Sequence, residues 1–400
     1  MPEKRDESLT KLLHLDQDLN RHIGEPHHFP ICQTSTYCFG SVEEAREAFS
    51  GKLQKDFYTR YSNPNHRRLE AMLAILEEGE EAQVFATGMA AINALFVALL
   101  ERGDKIVCNK PLYGGTFQLL KSVFEKQYYV NAEFVDGTNP MNVANAVTEG
   151  TKLVFLETPT NPTLTLCDIE KIAYLVKEKS PDTLIAIDNT FATPFNQKPL
   201  KLGADIVVHS LTKNLNGDGR VLGGAIICSK KIMEKISSVY AYLGGMMDPA
   251  VASHIEDNLK TFPLRMKRHN ENAFKVARFL SYNGDVSRVY YPGLINHPQY
   301  EIAKKQMSGF GSVVSFELAG QVERTVKFLN LIAQSNIVTL GVSLGTMDTL
   351  IESPAQMTHF GIPAKQRLEE GISDKLIRMS VGLEDVEDVI QCLYDSMKKA

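Results

Sequence analysis

Short apolar runs and stretches of helical period alternate along the middle of the chain. From about residue 65 to 255 the runs are QVFAT (83–87), KIVCN (105–109), KLVFLE (152–157), TLIAID (183–188), ADIVVH (204–209) and LGGAIIC (222–228). Between them lie patterns such as MAAINALFVALLERG (89–103) and IEKIAYLVKEKS (169–180). Apolar runs separated by helices predict βαβ units and a mostly parallel sheet covered on both faces. A long helical pattern at 256–281, IEDNLKTFPLRMKRHNENAFKVARFL, leads to a second region. There, strands (GSVVSFEL, 311–318; LIRMSVG, 376–382) mix with amphipathic helices, the last being VEDVIQCLYDSMKKA. Residues 1 to about 60 look irregular, with a helical start and then a polar loop. The fold class expected is α/β, and a length of 400 residues predicts one large domain and one smaller one.

Charge narrows the partners. Lys plus Arg number 43 and Asp plus Glu 48, a net charge of −5, which supports neither nucleic acid nor an anionic membrane as partner. The charged start MPEKRDESLT lacks the apolar core of a signal peptide, and no apolar run is long enough to span a bilayer. The six cysteines are scattered without a C-x-x-C pair, so no metal site and no disulfide framework is indicated. Cytoplasm is the expected location.

Several polar residues fall at the carboxyl ends of the apolar runs, where α/β sheets bind ligands. In ADIVVHSLTKNLNGDGRVLGG, Ser210, Thr212 and Lys213 follow a strand end. A lysine there can link covalently to an aldehyde cofactor, with burial and positive neighbours lowering its pKa. Ser210 and Thr212 can donate to a phosphate. Taken alone, S-x-T-K also fits a solvated loop lysine. Asp188 ends TLIAID, and a carboxylate at the end of a buried strand needs a cationic partner, which a pyridinium nitrogen supplies. An N-cap or turn aspartate is the alternative. In FATGMAAINALF, Gly88 and Met89 open a helix whose exposed N–H groups favour a phosphate, although a plain strand-to-helix turn has the same pattern. Arg378, between Ile377 and Met379, needs an anion: an amino-acid carboxylate, or an internal salt bridge.

These motifs stand in an order that resembles the Cys/Met-metabolism pyridoxal 5′-phosphate (PLP) enzymes. That group includes methionine γ-lyase, cystathionine γ-lyase, cystathionine γ-synthase and O-acetylhomoserine sulfhydrylase. They are YTRYSNP (58–64), ATGMAAI (86–92), LYGGTF (112–117), ETPTNPT (157–163), DNTFATP (188–194), HSLTKNLNG (209–217), VSLGTMDTL (342–350), PAQMTH (354–359) and IRMSVGLED (377–385). The resemblance implies an aspartate-aminotransferase-like (fold type I) subunit with a mostly parallel sheet and a smaller α/β C-terminal domain. It implies three regions: 1–60, contributing to a neighbouring subunit's site; 61–255, binding PLP; and 256–400, the C-terminal domain. It also implies a homotetramer, a dimer of dimers with shared active sites.

Carried over residue by residue, the resemblance makes Lys213 the PLP lysine and Asp188 the pyridine-nitrogen partner. Gly88, Met89, Ser210 and Thr212 become the phosphate cradle, with Tyr58 and Arg60 reaching the phosphate of the neighbouring subunit. Tyr113 stacks on the cofactor ring and serves as acid–base group toward the leaving sulfur. Asn161 hydrogen-bonds the ring oxygen, and Arg378 with Ser343 receives the substrate carboxylate. Glu157 is expected only to orient local backbone.

The reaction expected is a methionine γ-lyase-like γ-elimination on a small sulfur amino acid. Cystathionine γ-lyase or γ-synthase and O-acetylhomoserine sulfhydrylase chemistry are the alternatives. Val342 stands where cystathionine-processing members often carry Glu, which favours the first reading. Gly115 departs from the Cys of many methionine γ-lyases; Ser353, Asp257 and Asp218-Gly219-Arg220 depart from common patterns too. An idle scaffold is disfavoured because Lys213, Asp188 and Arg378 are all present, and a dinucleotide oxidoreductase because no strand–G-x-G-x-x-G–helix fingerprint occurs.

Overall fold

A computed structural model describes residues 28–400, with Thr10, Leu12 and Leu13. The helical start expected near the N-terminus lies largely outside the described residues. Seven strands form one sheet: β1 (Glu81–Phe85), β2 (Lys105–Lys110), β3 (Asn131–Asp136), β4 (Thr151–Glu157), β5 (Leu184–Asp188), β6 (Ile206–Ser210) and β7 (Gly224–Cys228), in the order β1-β7-β6-β5-β4-β2-β3. Strands β2 to β6 pair in parallel, while β7 runs antiparallel to both β1 and β6. The central parallel strands β4, β5 and β6 are almost entirely buried, as a sheet covered on both faces requires. One face carries a core built around Phe96, Phe124 and Phe155; the other packs Leu69, Leu73, Ile255 and Phe262.

Helix α1 (Pro64–Glu77) starts at Asn63, whose side chain accepts from the Asn65 N–H, with Pro64 in the first turn. Helix α2 (Gly88–Leu99) follows β1 and is capped by Thr87, whose side chain accepts from the Ala90 N–H. The apolar run QVFAT therefore ends as a strand at Phe85, because Thr87 is a better cap than strand residue.

The long helical pattern at 256–281 is two helices. Helix α3 (Pro249–Leu259) stops before Lys260 and Thr261, and α4 (Phe262–Tyr282) restarts with Pro263 in its first turn, where the missing N–H costs nothing. Beyond α4 a second sheet has the order β10-β11-β12-β9-β8. Its strands are β8 (Val286–Tyr290), β9 (Val313–Leu318), β10 (Val338–Leu340), β11 (Thr349–Glu352) and β12 (Leu376–Ser380). The terminal helix α5 (Val386–Lys399) buries Val389, Leu393 and Met397 in that sheet's core. No helix among the described residues is long and apolar enough to cross a membrane.

Candidate active site

Ten of the twelve residues singled out in the sequence line one cavity of about 490 Å³ at the carboxyl ends of β4, β5 and β6. They are Gly88, Met89, Tyr113, Asn161, Asp188, Ser210, Thr212, Lys213, Ser343 and Arg378. Tyr58 and Arg60 are elsewhere. Tyr58 pairs with Thr36 in an isolated bridge, and Arg60 lies over the Tyr58 and Tyr61 rings and donates to the Ala241 carbonyl at 2.8 Å.

Asp188 ends β5 beside Glu157, its register partner at the end of β4. Its Oδ1 accepts from the Thr190 N–H at 3.0 Å, the turn an aspartate makes two residues ahead of itself. Thr190 Oγ1 in turn accepts from the Ser210 N–H at 2.9 Å, linking β5 to the lysine turn. Burial holds the Asp188 carboxyl above its ordinary range, so the site favours a cation beside it.

Lys213 follows β6 in a turn that Arg265 of α4 secures, donating to the carbonyls of Asn214 (2.8 Å) and Leu215 (3.0 Å). Its amine reaches Ser343 Oγ at 2.6 Å. Burial and then the Arg378 charge push the Lys213 ammonium down to about 8, with Glu352 opposing, so a useful fraction of free amine exists near neutrality. Ser343 holds a left-handed backbone at φ 83°, a strained choice for serine that turns its hydroxyl and its carbonyl to different cations. The hydroxyl meets Lys213; the carbonyl accepts from Arg378 Nη2 at 2.8 Å.

Arg378 lies on β12, almost fully buried. Nη1 donates to Asn161 Oδ1 at 2.9 Å, and Nη2 pairs with Glu352 Oε1 at 2.8 Å, from the register-matched position on β11. The internal salt bridge left open by the sequence therefore exists. Even so, Nε has no partner among the described residues, and the guanidinium still faces the cavity. His359 also lines the cavity; burial, with Arg378 and Arg367 adding to it, pushes its imidazole down to about 4 and keeps it neutral.

The Gly88 turn approaches Ser210 so closely that a Cβ at residue 88 would sit 3.1 Å from the Ser210 Cβ. A Cβ at Gly224 would lie 2.2 Å from the Thr87 carbonyl oxygen. Only glycine permits this packing. The result sets the start of α2 against Ser210, with Thr212 lining the same cavity, an arrangement suited to a phosphate. A Cβ at Gly115 would come within 2.6 Å of the Tyr113 ring and 3.0 Å of Met89 Sδ, so this chain uses the empty space there to seat Tyr113.

Three other departures are structural. Asp218 ties the lysine loop to α3 through His254 and Asn258, while its Oδ1 accepts from the Arg220 N–H. Asp257 pairs with Lys260 on the surface at 2.7 Å, and Ser353 is buried outside the cavity lining. Thr190, Glu352, Thr358 and His359 are site residues the sequence reading did not single out. The Asp-x-Thr spacing after a buried strand would have found Thr190.

The cavity thus fits an aldehyde-bearing aromatic phosphate on four counts: a helix opened by a close-packed glycine, a lysine with a weakened ammonium, a buried carboxylate, and a tyrosine at the wall. Comparison with known proteins agrees. The model of the Cys/Met metabolism PLP-dependent enzyme family matches residues 9–398, and the chain belongs to that family. It is 44% identical over 372 residues to an L-methionine gamma-lyase of Fusobacterium nucleatum subsp. polymorphum, covering 92% of this chain and 93% of the relative. It is 41% identical over 371 residues to a cystathionine beta-lyase of Lactococcus lactis subsp. cremoris, with coverage of 92% and 93%. The crystal structure of metB from Corynebacterium glutamicum superposes with a TM-score of 0.90 at 35% identity, covering 100% of this chain and 99% of that one. The fold is the PLP fold type I, and the cofactor is pyridoxal 5′-phosphate.

Proposed function

We propose that this enzyme cleaves the Cγ–S bond of a sulfur amino acid, methionine above all, releasing a thiol, a 2-oxo acid and ammonia. The observation that carries the reading is the convergence of Lys213, Asp188 and Arg378 on one cavity. When bound, PLP supplies an electron sink for the substrate Cα. Gly88, Met89, Ser210 and Thr212 would hold its phosphate, Asp188 would face its ring nitrogen and Asn161 its ring oxygen, and Lys213 is the amine suited to its aldehyde. Arg378 and Ser343 grip the substrate carboxylate. The Lys213 amine would accept the Cα proton at Nζ, release it again, and only then accept the Cβ proton at the same nitrogen. Tyr113 stands at the wall to deliver a proton to the departing sulfur.

The choice of methionine rests on the apolar cavity residues Leu222, Val342 and Ile362, none of which offers a charge to a distal ammonium. A relative named for methionine cleavage at 44% identity supports it. A cystathionine lyase is the second reading, supported by relatives of that name at 40–41% identity. Incubation with methionine, cystathionine, and O-acetylhomoserine plus sulfide, assayed for thiol and 2-oxo acid, decides between them. Methanethiol and 2-oxobutanoate from methionine are expected; their absence overturns the preferred reading.

The site is completed across a subunit boundary by Tyr58 and Arg60 of a second copy, in a homotetramer of two tight dimers. Of the segment 1–60, which lies partly outside the described residues, the part from residue 28 is the arm that reaches over, with 61–255 the cofactor domain and 256–400 the smaller domain. The arm's exposed apolar residues, Ile31, Val42 and Phe49, form the kind of surface that seeks a partner. All six cysteines are free, in keeping with the cytoplasm.

A further inference from the structure

Glu157 ends β4 and is buried, yet among the described residues no side-chain cation is bonded to it. Its two oxygens are used separately. Oε2 accepts from the Tyr113 N–H at 2.7 Å, and Oε1 accepts from the Asn161 N–H at 2.8 Å. Tyr113 belongs to the loop after β2 and Asn161 to the loop after β4, so one carboxylate joins two loops of the cavity rim. The glutamate itself cannot swing. Its backbone N–H donates to Asn109 Oδ1 at 2.8 Å and its carbonyl accepts from Asn109 Nδ2 at 3.0 Å, a reciprocal pair across β2 and β4. From Asn161 the connection continues to Arg378, through Asn161 Oδ1.

We propose that Glu157 is the positioning residue of this site, setting the gap in which the cofactor ring lies by holding the Tyr113 and Asn161 peptides on its two oxygens. The inference rests on the placement of Tyr113 and Asn161 at the ring argued above. Only a carboxylate suits the task. Two N–H donors converge on one side chain, and an amide would present an acceptor to one and its own N–H₂ to the other. Charge-assisted bonds to backbone N–H groups are also the stronger kind.

The neighbouring carboxylate adds a response to loading. Burial and then the Asp188 charge push the Glu157 carboxyl up to about 8, against the two amide donors that favour its ionised form. A protonated ring nitrogen beside Asp188 relieves that repulsion. Cofactor binding therefore favours the ionised Glu157, and the ionised form holds both peptides best.

Two measurements test this on the full-length, PLP-loaded enzyme. In the wild type, hydrogen–deuterium exchange should find the Tyr113 and Asn161 amides protected by roughly a hundred-fold or more. In Glu157→Gln, one of the two should lose that protection. The visible circular dichroism of the bound cofactor should fall by about half or more and kcat by roughly ten-fold, because a tilted ring misaligns the reacting atoms. A glutamate that merely stabilised the fold would shift the melting temperature and leave the cofactor band as it was. Unprotected amides in the wild type overturn the proposal even if the variant fails to fold, as does a variant with wild-type dichroism. A wild type without any visible cofactor band would instead sink the functional reading itself.

Discussion

Arg378 has more to hold than the protein gives it. Glu352, Asn161 and the Ser343 carbonyl engage its two terminal nitrogens, and Nε stays without a partner among the described residues. A planar fork can keep these contacts and still present an edge to a carboxylate; a lysine ammonium cannot. Arg378→Lys should raise KM for methionine by roughly a hundred-fold and lower kcat less, the pattern of lost ground-state binding. Steady-state kinetics checks it, and an unchanged KM would remove Arg378 from the carboxylate site. At this scale much was readable in advance. Asp188 and Lys213 stand out because each is a charge at the end of an apolar run. Glu352 does not, since its strand is short and its meeting with Arg378 depends on the pairing of β11 with β12. Long-range register of that kind leaves no local mark in a sequence.

Among the elements, α4 joins the two sheets. His269 on α4 is fully buried, and its Nδ1 donates to the Val381 carbonyl just beyond β12 at 2.7 Å. Burial pushes its imidazole from 6.5 down to about 4. The unfolded chain binds this proton below about 6.5 and the folded chain only below about 4. Stability therefore falls as pH drops through that window and is unaffected above it. The shift corresponds to about 3 kcal/mol at its full extent. His269→Asn keeps a donor near the Nδ1 position and removes the titration. Urea unfolding at pH 7 and pH 4.5 should show a smaller acid loss in the variant; His297 and His359, also held near 4, retain theirs. An identical loss in both proteins would refute it.

The elements were partly legible. The buried parallel strands read directly as apolar runs. β3 was missed because its NAEFVD alternates polar residues at the sheet edge. The antiparallel course of β7 was missed as well. Its link from β6 contains the lysine turn but no crossover helix, so the chain returns alongside instead of crossing over.

For the whole molecule, the proposal that Tyr58 and Arg60 serve a neighbouring copy is open to a direct test. Phe49, Phe57 and Tyr61 pack ring against tilted ring in the segment that carries both, with Phe49 largely exposed. Arg60→Ala and Lys213→Ala should each be inactive alone. Unfolded together and refolded, they should recover about a quarter of wild-type activity, since random pairing makes half the dimers mixed and each mixed dimer carries one intact site. No recovery, with mixed dimers verified by mass, would mean that each chain completes its own site. The need for a partner was visible only by likeness to relatives, because no pattern within one chain says which residues will serve another.

Helix α4 does more than bridge. Arg265 grips the turn bearing Lys213, and one helical turn later His269 grips the segment behind Arg378, with Asn272 bonding to the carbonyls of Gly382 and Glu384. A single rod is thus bolted at both places, and its rise of roughly 1.5 Å per residue gauges the span between them. The distance from amine to anion-holder is a machined dimension. A change of substrate is then expected at the mouth of the cleft, where Leu222 and Val342 are exposed, and not by resetting the ruler.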